Sequence, residues 1–229
     1  MKPTSLRYLR QGGEADLFPV YSRAERVADA VVHLAGIIFG IAGAAALITA
    51  SIGRLPVREL LGLIVYSAGL IGMFTASASY NLVTRPKLKE WLRRIDHSVI
   101  FVMIAGSYTP FAIKIGGTTG LKLLAAVWLI AAFGVAAKLF FPRRLDRISV
   151  LIYLAQGWCI LFALDPFAEA VPEWGIYLLL IGGCIYSAGV IFHLLERLPF
   201  HNAIWHVFVL GGAASQYASV YGTVVLRWP

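Results

Sequence analysis

The chain has 229 residues, 59% hydrophobic and 14% charged, with a formal net charge of +8 and a mean hydropathy of +0.76. That balance excludes an ordinary soluble domain and marks a membrane protein. It also argues against nucleic acid as the meaning of the positive charge, because the basic residues gather between apolar segments, where they report topology.

Residues 1–24 carry charges throughout and no apolar core of the kind a cleaved signal has, so they read as a cytoplasmic N-terminal segment. Residues 25–229 read as one membrane domain, since no gap between apolar runs can hold a separate soluble fold. The runs place spans at 33–52, 60–83, 96–113, 122–141, 148–164, 174–195 and 202–226, each roughly long enough to cross about 30 Å of hydrocarbon. The expected fold is all-α, a seven-transmembrane helix bundle. With the N-terminus inside, 15 of the 20 Lys and Arg residues fall on the inner side, in residues 1–26, 85–94, 138–147 and at Arg197. The N-terminus is therefore expected in the cytoplasm, the C-terminus outside, and the chain in the plasma (inner) membrane as a multi-pass protein.

Polar groups interrupt the spans at four places. The first carries Asp29 and His33, the second Ser77 and Asn81, the third Asp96, and the seventh Asn202 and His206. Each pair is spaced i, i+4, so its members share a helix face one turn apart. Alternating span direction brings all four places to the inner ends of their helices. Ionisable groups at such depth are costly and turn towards a protein interior or a wet cavity, so a single inward-facing polar pocket is expected.

Plainer readings stand beside this one. Asp96 follows Arg93 and Arg94 and could be a headgroup-level ion pair; Ser77, Asn81 and Asn202 could be interhelical glue; His206 could be a hydrogen-bonded core histidine. His97 and His193 read as interfacial, Cys159 and Cys184 as buried thiols. Gly36 with Gly40, and Gly211 with Ser215, read as close-packing positions. Pro110 is expected to kink the third helix or end its regular ladder.

Several segments resemble one family: ERVADAVVHLAG (25–36), SASYN (77–81), RIDHSVIFVMIAGSYTPF (94–111), Gln156–Trp158, and NAIWHVFVLGG (202–212). They are similar to the hemolysin III proteins, which are related to the adiponectin receptors and, more distantly, to alkaline ceramidases. The resemblance implies seven helices with the N-terminus inside and a zinc ion near the cytoplasmic side. Three histidines usually hold that ion, one ending an S-x-x-x-H motif on the second helix and two in an H-x-x-x-H motif on the seventh. An aspartate at the start of the third helix orients a zinc-bound water.

Carried onto this chain, the resemblance makes Ser77 and Asp96 the catalytic residues and His206 the metal residue. Asn81 and Asn202 stand at the other two ligand positions, and with Asp29 and His33 they are expected to line the pocket. A neutral amide is a poor zinc ligand, so the zinc site is expected to be weakened or absent. Asp29 and His33 are placed to complete a set with Asp96 and His206. His201 lies i, i+5 from His206, about 140° round the helix. The implied chemistry is zinc-dependent hydrolysis of a lipid amide bond, with metal-bound water brought to a pKa of about 7 and Asp96 handling protons. A lipid-sensing role fits the same pocket, and membrane lipids are the expected partners. The alternative is a channel-forming or lytic protein, as the family name suggests, although only Gln216, Ser215 and Thr223 offer polarity in the outer halves of the spans.

Overall fold

In the computed structural model, which describes residues 18–141 and 143–227, every element among the described residues is helical. The elements are α1 (Arg23–Ser51), α2 (Val57–Leu82), α3 (Pro86–Ile115), α4 (Gly117–Phe140), α5 (Asp146–Gly157), α6 (Leu164–Ala170), α7 (Glu173–Leu194) and α8 (His201–Val220). A 3₁₀ stretch, Trp158–Ala163, joins α5 to α6, so these three pieces make one broken crossing; a π-helical turn, Tyr221–Leu226, extends α8. Most of the expected N-terminal segment 1–24 lies outside the described residues.

Among the described residues, six segments are long and apolar enough to cross a membrane, the broken one counted as Ile148–Ala170. The seventh crossing is α8, less apolar because it carries His201, Asn202, His206, Ser215 and Gln216. Large apolar side chains face outward all round the bundle, among them Val31, Phe133 and Phe162, the last 93% exposed. Such an apolar exterior is stable only in hydrocarbon.

Sequential helices run antiparallel, and small residues set their separation. Gly36 and Gly40 of α1 face Phe74 of α2, Gly62 of α2 faces Pro110 of α3, and Gly120 of α4 faces the Ala112 carbonyl of α3. Gly175, Gly182 and Gly189 are the buried positions of α7, one every seven residues, and all three meet α8. At Gly182 a Cβ would lie 3.1 Å from the Gly212 carbonyl, tighter than an ordinary contact, so glycine favours this backbone approach. α8 also packs parallel to α1, with Asn202 beside Asp29 and Tyr217 beside Gly43. This return of the last helix to the first closes the bundle around its polar end.

Three expectations are corrected. The first span, read from residue 33, begins at Arg23 because Ser22 and Glu25 form a capping box, with Glu25 N–H on Ser22 Oγ at 3.2 Å and Ser22 N–H on Glu25 Oε2 at 2.9 Å. Its first turns are charged on one face yet fully helical: Glu25, Asp29 and His33 are buried, while Val27, Val31 and Leu34 are exposed. Of the two outcomes expected at Pro110, a kink or an end, the end is excluded, since α3 continues to Ile115. Cys184 is exposed on the outer surface of α7 rather than buried. An apolar run alone does not distinguish a lipid-facing thiol from a core one.

The break in the fifth crossing is satisfied by one side chain. Tyr108 of α3 donates its hydroxyl to the Gly157 carbonyl at 2.6 Å and accepts from the Ile160 N–H at 2.9 Å. Interrupted helix inside a membrane requires such internal partners.

Candidate functional site

Local chemistry at the helix ends brings the polar groups together. Besides closing the capping box, Glu25 accepts the Phe200 N–H through Oε1 at 3.1 Å, which ties the start of α1 to the turn before α8. That tie sets Asp29 and His33 opposite Asn202 and His206. Between α2 and α3, Lys89 donates to the Tyr80 carbonyl at 2.8 Å and the Val83 carbonyl at 3.1 Å, capping α2 with a cation where the helix dipole favours one. Pro86 opens α3 at its first turn, and Asp96 follows on the face turned to Ser77.

Asp29 is the hub of the cluster. Its Oδ1 lies 2.6 Å from His206 Nδ1, while Oδ2 accepts Asn202 Nδ2 at 3.1 Å and lies 3.3 Å from His33 Nε2. Asn202 Nδ2 also donates to Asn81 Oδ1 at 3.0 Å, and Asn81 Nδ2 donates to the Ser77 carbonyl at 3.0 Å. Ser77 Oγ lies 3.3 Å from His206 Nε2, and the His33 and His206 rings are 4.3 Å apart. Asp29, His33 and His206 are each less than one-tenth exposed. A carboxylate so buried is costly unless it is paired and hydrogen-bonded, and here three side chains surround it.

The four polar places thus converge. His33, Ser77, Asn81, Asp96, Asn202 and His206 all line one cavity. Asp29 stands behind that wall and holds it. The headgroup ion pair open to Asp96 is not formed: Arg93 pairs instead with Asp146, and Arg94 lies 3.8 Å from Glu90. His97 and His193, read as interfacial, line the cavity too, and His193 packs on Trp205.

The donor set decides how zinc fits. At the ligand positions the resemblance supplies, this chain offers one imidazole and two amides, and the amides are hydrogen-bonded to each other. That arrangement does not fit zinc. A neighbouring group has the right donor types: Asp29, His33 and His206 present a carboxylate and two imidazoles whose ligand atoms lie within 4.8 Å of one another. His33 Nε2 is buried and makes no well-aligned hydrogen bond, although Asp29 Oδ2 lies 3.3 Å away. Against this, His206 spends Nδ1 on Asp29 and turns Nε2 to Ser77.

The cavity encloses about 1480 Å³ and changes character along its length. Beyond the polar cluster its walls are apolar, from Met103 and Ile104 of α3, Leu154 of α5, Tyr186 of α7 and Val209 of α8. Near the helix ends it meets a charged collar that the sequence reading missed. Lys138 is buried and donates to Asp146 at 2.8 Å, and Arg93 pairs with the same carboxylate. Burial pushes the Asp146 carboxyl up, but Lys138 and Arg93 outweigh it and hold it below the usual carboxylate range. Arg143 binds Glu90 at 2.6 Å, and Tyr21 reaches His201 at 3.4 Å. The one available signal was Asp146, a lone acid among four basic residues.

Comparison with known proteins agrees with this architecture. The family model described as "Haemolysin-III related" matches residues 21–217. A hemolysin-3 homolog of Bacillus subtilis is 35% identical over 202 residues, covering 88% of this chain and 95% of that protein. Hemolysin-3 of Bacillus cereus is 38% identical over 197 residues, covering 86% and 90%. The human monocyte to macrophage differentiation factor is 28% identical over 166 residues, covering 69% and 68%, and supports the relationship with the adiponectin receptors. With most of its length matched and the helices closing on a polar end, the chain belongs to the haemolysin III family of integral membrane proteins.

Proposed function

We propose that this protein holds a membrane lipid in its cavity, with the lipid's polar head against the Asp29–His206 cluster and its acyl chain along the apolar wall, and that it acts there as a lipid hydrolase or lipid sensor. The observation that carries the reading is the cavity itself, which joins a buried polar network to an apolar space large enough for an acyl chain. The positive-inside rule supports a cytoplasmic polar end, an outside C-terminus and a place in the plasma membrane. Residues 1–24 then form a cytoplasmic segment and 25–229 one membrane domain. Ser77 and Asp96 are the catalytic candidates, with Asp29, His33, Asn81 and Asn202 shaping the pocket around His206.

Zinc belongs to this reading in a weakened form. Asp29, His33 and His206 are the residues that would hold it, and bound zinc would supply an activated water and polarise a carbonyl. The chain's own residues keep other tasks: Asn202 orients Asp29, Asp96 faces the Ser77 hydroxyl, and the apolar wall excludes water from the acyl chain.

A photoactivatable acyl lipid tests the reading. Crosslinks on Met103 or Tyr186, competed by unlabelled lipid, are expected; crosslinks confined to outward residues such as Phe133 would overturn it. Asn202→Cys should react with a thiol reagent added from the cytoplasmic side and not from outside.

A further inference from the structure

His206 is engaged at both ring nitrogens. Nδ1 lies 2.6 Å from Asp29 Oδ1, and Nε2 lies 3.3 Å from Ser77 Oγ. An ionised carboxylate can only accept, so Nδ1 carries the ring proton and donates it. In that neutral tautomer Nε2 presents a lone pair to the Ser77 hydroxyl, whose single proton is shared between this nitrogen and the Asp96 carboxylate that also faces it. A separation of 3.3 Å is at the long end for such a bond, a slackness ordinary before substrate binds.

Hydroxyl, imidazole and buried carboxylate in this order form the arrangement that activates a serine, which is recognised by geometry and roles rather than chain order. The asparagines that fail as zinc ligands have work in it. Asn202 Nδ2 holds Asp29 Oδ2 at 3.1 Å, and Asn81 Nδ2 holds the backbone carbonyl of Ser77 at 3.0 Å. The carboxylate and the turn that carries the hydroxyl are both fixed.

We propose that, whenever no zinc is held by Asp29, His33 and His206, this chain works as a serine acyl hydrolase, with Ser77 as nucleophile, His206 as base and Asp29 as positioning residue. Its substrate is the carboxylic ester or amide of an acyl lipid, and this choice of substrate rests on the lipid-pocket reading above. Ser77 Oγ attacks the acyl carbonyl carbon while its proton passes to His206 Nε2. An Oγ–C bond forms, the bond from that carbon to the alcohol oxygen or amine nitrogen breaks, and the leaving group takes the proton from Nε2. Water then attacks the acyl-Ser77 ester, giving its proton to Nε2, which returns it to Ser77 as the fatty acid departs. One water is consumed per bond, and no electron changes hands. Asp29 keeps the ring in the tautomer that each transfer needs.

The test uses the full chain in detergent with two fluorophosphonates, one short-chain and one bearing a long alkyl chain. Both are expected to phosphonylate Ser77, mapped by peptide mass spectrometry, in the presence of a zinc chelator, with the long-chain probe reacting faster. The adduct should vanish in Ser77→Ala and form about 100-fold more slowly in His206→Gln. In Asp29→Asn the maximal labelling rate should fall while the half-saturating probe concentration holds, a split that a general loss of structure does not produce. The adduct is mapped on the unsubstituted chain, so the result does not depend on any variant folding. A monodisperse, cooperatively unfolding protein with no Ser77 adduct from either probe overturns the proposal. So does an adduct indifferent to His206→Gln, or one that forms only with added zinc. Short-chain labelling without long-chain labelling supports the triad and rejects the lipid as its substrate; acyl crosslinking in the cavity with Ser77 unmarked leaves the lipid pocket and removes the triad.

Discussion

At the end of the bundle where α1 begins, Asp29, His206, Asn202, Asn81 and Ser77 bond to one another, side chain to side chain, beside a cavity. At the other end several hydroxyls and a lysine are spent on backbone carbonyls, although Arg227 pairs there with Glu59. Ser215 donates to Leu178 O at 2.7 Å, Ser219 to Gly175 O at 2.8 Å, Tyr217 to Gly43 O at 3.0 Å, and Lys114 to Thr223 O at 3.1 Å. Both ends answer the same demand, that no polar group sit in hydrocarbon without a partner. They answer it differently: a hydroxyl on a carbonyl is glue with nothing left to react, whereas a network of titratable side chains keeps protons that can move. The lytic alternative needs a polar path through the far end, and hydroxyls already committed to carbonyls offer a poor lining for one.

The sharpest way to break this comparison is to remove one group from each end. His206→Ala is expected to lower turnover of a fluorogenic acyl substrate by 100-fold or more, on the order seen for loss of a catalytic base. Ser219→Ala should leave turnover within about 2-fold and cost roughly 0.6 kcal/mol of stability, as single interhelical hydrogen bonds in membranes do. Equal losses of turnover would erase the distinction.

Stability should divide the same way. Asp29→Ala leaves His206 and Asn202 buried without their acceptor, and breaking a buried charged pair costs about 3–5 kcal/mol. The thermal midpoint in detergent should drop by about 10 °C. Gly182→Leu attacks the packed region instead, forcing a side chain against the Gly212 carbonyl and Gln216. Overpacking of this kind costs about 2 kcal/mol, read as loss of the monodisperse peak on fluorescence-detected size exclusion. Tyr108→Phe strands the Gly157 carbonyl and Ile160 N–H at the break in the fifth crossing. A cost of about 1–3 kcal/mol is expected, seen as faster proteolysis near Trp158.

The smallest effect is expected at the collar, from pH. Asp146 titrates below its unfolded value, so its contribution to stability is complete above the ordinary carboxylate pKa of about 4 and is lost as pH falls through the lower folded value. The thermal midpoint should therefore fall on acidification below about pH 4, and Asp146→Asn should flatten that part of the curve. A slope unchanged in Asp146→Asn would detach the collar from stability.

Much of this protein was legible in the chain. Span number followed from apolar run length, because hydrocarbon thickness sets a minimum that 229 residues met seven times. Span direction alternates of necessity, and that alone puts Asp29, Ser77, Asp96 and His206 at one level. Helix packing at Gly36 was readable for the same local reason, since glycines at helical spacing permit close approach, but on the last helix the close approach falls on Gly212 rather than Gly211. Cys184 was misplaced, and the burial of Lys138 was not foreseen, because an apolar run does not tell which face of a helix meets lipid and which meets a neighbour.

Tertiary structure alone decided who bonds to whom. Sequence spacing puts Asp29 and His33 on one face, but only the parallel packing of α8 on α1 turns Asp29 to His206, and only the approach of α2 sets Ser77 on the ring's other nitrogen. The asparagines likewise read as losses in the sequence and as supports in the structure. The physical reason is range: helix periodicity and hydropathy act over a few residues or one span, while a hydrogen bond between residues 177 apart depends on how whole helices are docked.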